Sequence, residues 1–270
     1  MDILVCFKVV PDLDQLAGSD WFIDSLLRVE TGYAKTILNA YDESALEMAL
    51  RFSESAGQSV NLTALTIGDE KADIYLKTLY ALQFAKAVRI ENSVEARFSP
   101  EAVASVICRY VELYGKQDLL IMGRQSGVGD NAKTPLLAAE MLKWPCITQV
   151  TRVEPGEASR LKVTAMVDGG LVQQTVRTPC VLAVGNVPNA YLRVPTLKEK
   201  YACGKKEIEV MDLEQFGLQG IFNCFDTGCE LQGLALIDRN REGVIVQGAT
   251  PAEKARALYD AYLKEWLEQL

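Results

Sequence analysis

The stretch that decides the predicted fold is Asp118-Leu-Leu-Ile-Met-Gly-Arg-Gln-Ser-Gly-Val-Gly-Asp-Asn-Ala-Lys-Thr-Pro135. An apolar run ends in glycine, a loop of small and polar residues follows, and an apolar helical pattern begins. This order is typical of a strand, a loop and a helix N-terminus. Glycines let the backbone approach a ligand closely, and the first N–H groups of a helix attract anions. The loop is therefore a candidate cradle for nucleotide phosphates, and the alternative is an ordinary strand-to-helix connection of the same composition.

The first half of the chain alternates between apolar runs and helical patterns. Asp42 can serve as the N-cap of one helix, and Ser99-Pro100 supplies an N-cap and a proline at the first position of another. Short connections between strands and helices predict an α/β fold, with a doubly wound, mainly parallel sheet and helices on both faces. The predicted strands of this half lie at 3–10, 58–67, 87–90 and 119–122.

The ends of these strands identify a candidate ligand site. In a parallel sheet, ligands bind at the carboxyl ends of the strands. The ends of the first, second and fourth strands carry Cys6-Phe7-Lys8, Ile67-Gly68 and Gly123-Arg124, and Asn39 to Asp42 lie at a helix start. We expect all of them to converge on one crevice beside the glycine loop.

The second half of the chain has a different pattern. Strands predicted at 150–153, 160–167, 171–176 and 180–184 either extend the sheet or form an antiparallel edge. Residues 187–206 show no periodicity, which fits a solvated loop or, because apolar and cationic side chains alternate there, a protein docking site. We therefore divide the chain into an α/β domain at 1–206 and a C-terminal arm at 207–270. The arm ends in an amphipathic helix whose apolar stripe must be buried in its own domain or on a partner.

Composition limits the class of function. A net charge of −8 argues against nucleic acid as the main partner. The chain contains no histidine, so Ser-His-Asp and Cys-His catalysis are excluded, and a bound cofactor is expected to carry any chemistry. Seven cysteines without a C-x-x-C pair predict reduced thiols and no metal site. We expect a cytoplasmic protein, since no apolar stretch approaches the roughly 20 residues of a transmembrane helix and the chain opens on a strand-like run.

Ordered segments along most of the chain carry a family resemblance. They are Phe7-Lys8-Val9-Val10-Pro11, Asn39-Ala40-Tyr41-Asp42-Glu43-Ser44-Ala45-Leu46-Glu47, the loop from Gly123 to Asp130, Val167-Asp168-Gly169-Gly170, Arg193-Val194-Pro195-Thr196-Leu197, and the tail from Thr250 to Ala255. Together they resemble the beta subunit of electron transfer flavoprotein. The ordered set is far more specific than the glycine loop alone.

The resemblance implies a nucleotide-binding subunit that pairs with a larger, FAD-carrying alpha subunit. In this family the beta subunit holds AMP, or a second FAD in electron-bifurcating members. The resemblance implies that the nucleotide is lined by Cys6, Asn39, Ala40, Tyr41, Asp42, Ile67, Gly123, Arg124, Gln125, Ser126, Gly127, Val128, Gly129, Asp130, Asn131, Ala132, Lys133 and Thr134. It also implies a recognition loop at 191–200 for an acyl-CoA dehydrogenase-like or other flavoenzyme. The docking residues there are Tyr191, Arg193, Leu197, Lys198 and Lys200, with Leu197 as the apolar anchor.

Departures from the family pattern indicate a divergent branch. Met166 stands where the family commonly has an acidic residue, near the expected alpha-subunit flavin, and Ala40 replaces a proline. Val128 replaces an acid, and Lys133 replaces a glutamine and adds positive charge near the expected phosphates. The choice between AMP and FAD, the use of NADH and the dehydrogenase served stay open.

Two functions of other classes compete with electron transfer. The first is a stand-alone nucleotide-using enzyme of the same superfold, and the second is a sensor of AMP or ATP without a flavin partner. The lack of histidine, the lack of a Walker loop and the long tail disfavour the enzyme. We therefore expect an electron-carrier subunit rather than a catalyst in its own right.

Overall fold

A computed structural model describes residues 1–17, 20–93, 96, 98–115, 117–129, 131–157, 159–187, 191–224, 231–235 and 243–268. The chain divides into two units, Met1–Gln232 and Gly233–Leu270. Within the described ranges, no helix is both long enough and apolar enough to cross a membrane.

The first unit alternates strands and helices. Its strands are β1 (Asp2–Cys6), β2 (Val9–Pro11), β3 (Thr36–Leu38), β4 (Asn61–Gly68), β5 (Lys86–Glu91), β6 (Leu119–Gly123), β7 (Cys146–Pro155), β8 (Arg160–Val167), β9 (Gly170–Arg177), β10 (Cys180–Val184) and β11 (Glu209–Met211). Its helices are α1 (Ala40–Ser55), α2 (Asp73–Ala81), α3 (Pro100–Tyr114), α4 (Thr134–Leu142), α5 (Leu197–Cys203) and α6 (Ile221–Cys224).

In the part of the chain that the structure describes, nine strands form one sheet in the order β11-β5-β4-β1-β6-β10-β7-β8-β9. Every pair from β11 to β7 is parallel, while β8 and β9 add an antiparallel hairpin at one edge. This confirms the predicted α/β fold with a mainly parallel sheet. The chain order of the strands reverses between β1 and β6, and such a switch point leaves a crevice at the carboxyl ends.

The sheet is covered on both faces because its central strands are apolar on both sides. Along β1, Ile3 and Val5 pack in the core cluster that contains α1 and α2, whereas Leu4 and Cys6 pack in the cluster that contains α3 and α4. Side chains alternate between the two faces of a strand, so a continuous apolar run must be buried twice. The apolar runs of the sequence therefore specify a three-layer arrangement.

The first strand is shorter than predicted. It ends at Cys6, and Val9–Pro11 instead pairs antiparallel with Thr36–Leu38 in a separate two-stranded sheet. The chain leaves the main sheet at Lys8, whose backbone N–H donates to the Asp42 carboxylate rather than to a neighbouring strand. A single apolar run therefore serves two different sheets.

The first unit extends beyond residue 206, where sequence patterns placed the start of the arm. Strand β11 pairs with β5, and Phe216 is 2% exposed in the core on the α3 side, edge-on to Tyr114. The second unit contains α7 (Pro251–Leu258), a π-helical turn at Tyr259–Leu263, and α8 (Lys264–Leu267). Thr250 caps α7, since its hydroxyl accepts a hydrogen bond from the backbone N–H of Glu253.

Replacing Phe216 by alanine tests the position of this boundary. We expect the F216A variant of the chain alone to lose about 3–5 kcal/mol of unfolding free energy in denaturant titrations, because a buried aromatic ring leaves a cavity. The control Y201A removes an exposed ring and should change stability by no more than about 0.5 kcal/mol. Equal stability of the two variants would show that residue 216 lies outside the folded core.

Candidate functional site

A cavity lies at the carboxyl ends of β1, β4 and β6, beside the switch point of the sheet. Its apolar lining includes Leu65, Ile67, Val103, Ile107 and Met122. Its polar lining comprises Lys8, Asn39, Asp42, Arg124, Gln125, Ser126, Asn131 and Thr134. Cys6, Phe7, Ala96, Gly123, Val128 and Pro135 complete the lining. An apolar wall with a few convergent polar groups is the usual form of a small-molecule site.

The carboxylate of Asp42 connects the elements that form this cavity. Its Oδ1 accepts a hydrogen bond from the backbone N–H of Gly123 at 2.8 Å. Its Oδ2 accepts from the backbone N–H of Lys8 at 2.9 Å and from Asn39 Nδ2 at 3.0 Å. The ends of β1 and β6 and the start of α1 are therefore held together by one buried side chain.

The predicted N-cap role of Asp42 is wrong. Helix α1 begins at Ala40, so Asn39 occupies the cap position and Asp42 lies inside the first turn. The side chain of Asn39 donates to Asp42 and to the carbonyl of Gln125 at 2.8 Å. Both polar residues serve contacts between elements instead of capping their own helix.

Burial raises the pKa of Asp42 to about 6, while the hydrogen bonds from Asn39, Lys8 and Gly123 act in the opposite direction. Desolvation penalises the charged form, and donors that face the carboxylate favour it. At neutral pH the carboxylate is mostly ionised and places a negative charge at the base of the cavity. Burial also raises the pKa of the neighbouring Cys6 thiol well above its usual value, so Cys6 acts as a neutral, apolar wall.

The glycine loop is tied down at two of its carbonyl groups. Asn39 holds the carbonyl of Gln125, and Lys8 Nζ donates to the carbonyl of Val128 at 3.1 Å. Within the loop, Ser126 Oγ accepts from the backbone N–H of Val128 at 3.2 Å. The loop is thus fixed to the ends of the strands from both sides.

Gly123 is required by a close approach of two elements. A Cβ at this position would lie 2.5 Å from Asp42 Oδ1 and 2.8 Å from the backbone nitrogen of Asp42. Both distances are shorter than any normal contact, and the second involves a main-chain atom that cannot rotate away. The glycine allows α1 to reach the end of β6.

The N-terminus of α4 lies beside the polar lining of the cavity. Thr134 and Pro135 line it, and the cap residue Lys133 makes no side-chain capping hydrogen bond. The first N–H groups of a helix and its dipole favour an anion at such a place.

Arg124 supplies a cationic group in the same polar lining. Its guanidinium carbon lies 5.3 Å from the centre of the Tyr41 ring, which orients the side chain by a cation–π contact. Its buried Nε has no hydrogen-bond partner among the described residues. A buried donor without a partner is costly, so an acceptor from a ligand would satisfy it.

The structure brings together only part of the predicted nucleotide site. Cys6, Asn39, Asp42, Ile67, Gly123, Arg124, Gln125, Ser126, Val128, Asn131 and Thr134 line the cavity. Ala40, Tyr41, Gly127, Gly129, Ala132 and Lys133 are described but are not part of its lining, and Asp130 lies outside the described residues. Phe7 and Lys8 also line the cavity, as their place at the end of the first strand predicted. The sequence did not indicate the other lining residues, which are Leu65, Ala96, Val103, Ile107, Met122 and Pro135.

The predicted docking residues lie elsewhere on the first unit. Tyr191, Leu197, Lys198 and Lys200 are exposed. Leu197 begins the short helix α5, where the sequence showed no periodicity, and Thr196 and Glu199 form a capping box before it. Arg193 differs from the others because its guanidinium pairs with Glu47 and Glu54 on α1.

Comparison with known proteins gives consistent results. A family model described as the electron transfer flavoprotein domain matches residues 27–215. The chain is 34% identical to a protein of Escherichia coli K12 named as an electron transfer flavoprotein subunit, YgcR, over 99% of this chain and 100% of the relative. It is 31% identical to the electron transfer flavoprotein subunit beta of Thermoanaerobacterium thermosaccharolyticum, over 82% of this chain and 84% of the relative. It is 27% identical to the acryloyl-CoA reductase electron transfer subunit gamma of Anaerotignum propionicum, over 98% of this chain and 99% of the relative.

Alanine substitution at Gly123 tests the close approach that shapes the cavity. We expect the G123A variant to lose about 1–3 kcal/mol of unfolding free energy, because the added methyl group overpacks the contact with α1. Chemical denaturation of the isolated chain measures this loss. Gly127 in the same loop is the matched control, since a Cβ there meets nothing within 4 Å. A G123A protein as stable as G127A would contradict the geometry.

Proposed function

This chain belongs to the electron transfer flavoprotein family, and from that premise we propose that it is the beta subunit of a heterodimeric electron carrier that binds AMP or a second FAD in the cavity beside β1 and β6. The carrier passes electrons between a partner flavoenzyme and an acceptor. The comparisons support electron transfer and do not favour a stand-alone nucleotide enzyme or sensor.

The observation that carries the nucleotide proposal is the pairing of an apolar wall with a buried, unpartnered cationic donor. AMP and FAD share an adenine ring and a phosphate group. The wall around Ile67 and Cys6 suits the flat faces of an adenine ring. Arg124 Nε and the uncapped N-terminus of α4 suit the phosphate.

Flavin, when bound, accepts and releases electrons, and the residues of this chain only hold and orient it. Lys8 and Asn39 fix the loop path, Gly123 lets α1 close over the strand ends, and Cys6 stays neutral. Among the described residues, no cluster of side chains could hold a metal ion. This set of roles is that of a cofactor-binding subunit.

We propose that exposed apolar side chains form the two surfaces of this chain that contact partner proteins. Residues 191–200 contact a partner flavoenzyme, such as an acyl-CoA dehydrogenase-like protein, with Leu197 as the anchor. The terminal arm packs on the alpha subunit through a stripe that includes Leu258, Tyr262 and Trp266, all of which are exposed. The described cysteines whose side chains are placed are free thiols, which supports a cytoplasmic location.

The cofactor content of the heterodimer tests this proposal. The chain is co-expressed with an alpha subunit, and FAD and AMP released per heterodimer are measured by chromatography. One FAD with one AMP supports AMP in this subunit, and two FAD with no AMP support a second FAD. A heterodimer with a single FAD and no other nucleotide would refute binding by this chain.

A substitution of Arg124 tests whether the nucleotide of this subunit binds in the cavity. We expect R124Q to lower the affinity for the nucleotide of this subunit at least about tenfold, because a charge-assisted hydrogen bond is lost. The control R152Q removes an exposed arginine of β7 that pairs with Glu154 outside the cavity, and it should retain full content. Equal nucleotide content of the two variants would place the phosphate elsewhere.

A further inference from the structure

The segment that precedes α5 has no regular structure of its own, yet it is held firmly. Residues 191–196 form neither helix nor strand. Ordering free backbone of this kind costs conformational entropy, so a fixed position requires outside contacts. Helix α1 provides them through two carboxylates that are four residues apart, Glu43 and Glu47, which lie on one face of the helix.

Glu47 is the centre of these contacts. Its side chain is only 4% exposed. Its Oε1 accepts from Arg193 Nη2 at 2.8 Å, and its Oε2 accepts from Arg193 Nε at 3.1 Å and from the backbone N–H of Arg193 at 3.3 Å. Two side-chain bonds from the planar guanidinium and one from the main chain restrain both the position and the direction of the segment.

Neighbouring contacts extend this grip. Glu43 Oε1 accepts from the backbone N–H of Leu192 at 3.2 Å, and Glu54 also pairs with Arg193. Pro195 is buried. The next residue, Thr196, is the N-cap of α5 and forms its capping box. The helix therefore begins four residues after the anchored arginine, with little free chain between them.

The anchored segment presents an exposed apolar group. Val194, Leu197 and Tyr201 are 83%, 74% and 85% exposed, and Leu197 and Tyr201 lie four residues apart on one face of α5. Apolar side chains that are left in water but held in place suit a docking site, because a partner does not have to order them on binding.

The ionisation of Glu47 supports a permanent contact. Burial raises the pKa of this carboxyl, but hydrogen bonds from Arg193 and Arg51 outweigh the effect and leave its pKa below the usual value. The pKa of Arg193 is raised, chiefly by its hydrogen bonds to Glu47 and Glu54. Both groups are therefore charged throughout the physiological pH range.

We propose that Glu47 is a positioning residue that clamps Arg193 to α1 and thereby fixes the Leu197 helix for docking of the partner flavoenzyme; the docking role rests on the function proposed above. Helix α1 also carries Asp42 in its first turn, so the same rigid element positions the cavity and the docking group. The clamp is built into the subunit and does not form only when the partner binds.

Hydrogen–deuterium exchange of the full chain tests the clamp without any partner. In E47Q we expect the amides of 192–203 to exchange at least about tenfold faster, while those of the central strands stay unchanged. R51Q is the matched control, because Arg51 contacts Glu47 at 2.9 Å but makes no hydrogen bond to the described residues of the segment. The double variant E47Q/R193Q should exchange no faster than R193Q alone, since Glu47 acts on the segment through Arg193. Unchanged exchange at 192–203 in E47Q would overturn the proposal, and so would additive effects in the double variant.

A kinetic measurement tests the docking role. Electron transfer from a substrate-reduced acyl-CoA dehydrogenase to the heterodimer is followed at varied heterodimer concentration. We expect E47Q to raise KM about tenfold with kcat within twofold, and R51Q to change neither. Faster exchange in E47Q with an unchanged KM would refute the docking role of the clamp. A wild-type heterodimer that accepts no electrons from the dehydrogenase would count against the proposed partner, and the exchange data would then decide the clamp alone.

Discussion

The carboxylate of Asp42 is the interaction on which the rest of the site depends. A buried charge is tolerated only when donors surround it. Here the donors come from three segments that lie apart in the sequence. The backbone N–H of Lys8 lies just after β1, and that of Gly123 lies at the end of β6. The side-chain amide of Asn39 lies just before α1. Because these bonds converge, the crevice at the switch point has one defined shape. Its apolar and polar linings follow from which strand ends are joined.

Helix α1 connects the cavity with the segment that precedes α5. Its first turn fixes the cavity through Asp42, and the residues that follow hold the segment before α5 through Glu43 and Glu47. Its apolar side packs on the sheet through residues such as Leu46 and Phe52. A helix that is buried on one side and carries carboxylates on the others cannot shift without breaking contacts of both sites.

Patterns that depend on local order could be predicted from the sequence. The apolar runs of β1, β4 and β6 indicated strands buried on both faces, and their glycine and polar endings placed the crevice correctly at the carboxyl edge. The ordered family segments identified the family, which the comparisons confirm. These features are recorded in neighbouring residues, so a single sequence shows them.

Features that depend on distant partners could not be predicted. Aspartate is a residue type that often caps helices, but two hydrogen-bond partners of Asp42 lie 34 and 81 residues away. Arg193 was predicted as a docking residue from its neighbours in the sequence. Its pairing with Glu47 could not be predicted, because Glu47 is 146 residues distant. Val103 and Ile107 belong to the apolar stripe of a helix, and the sequence pattern is the same whether such a stripe faces a sheet or a cavity. Helix α5 has seven residues, which is too short for a periodic signal.

The most direct test of nucleotide binding by this chain is a crystal structure of the heterodimer with its bound nucleotide. We expect an adenine ring against Ile67 and Cys6, and a phosphate within hydrogen-bond distance of Arg124 Nε and the N-terminus of α4. The Asp42 hydrogen bonds to Lys8 and Gly123 should be unchanged in that complex. A nucleotide bound at another surface, with Arg124 Nε satisfied by a protein group, would contradict the proposed binding.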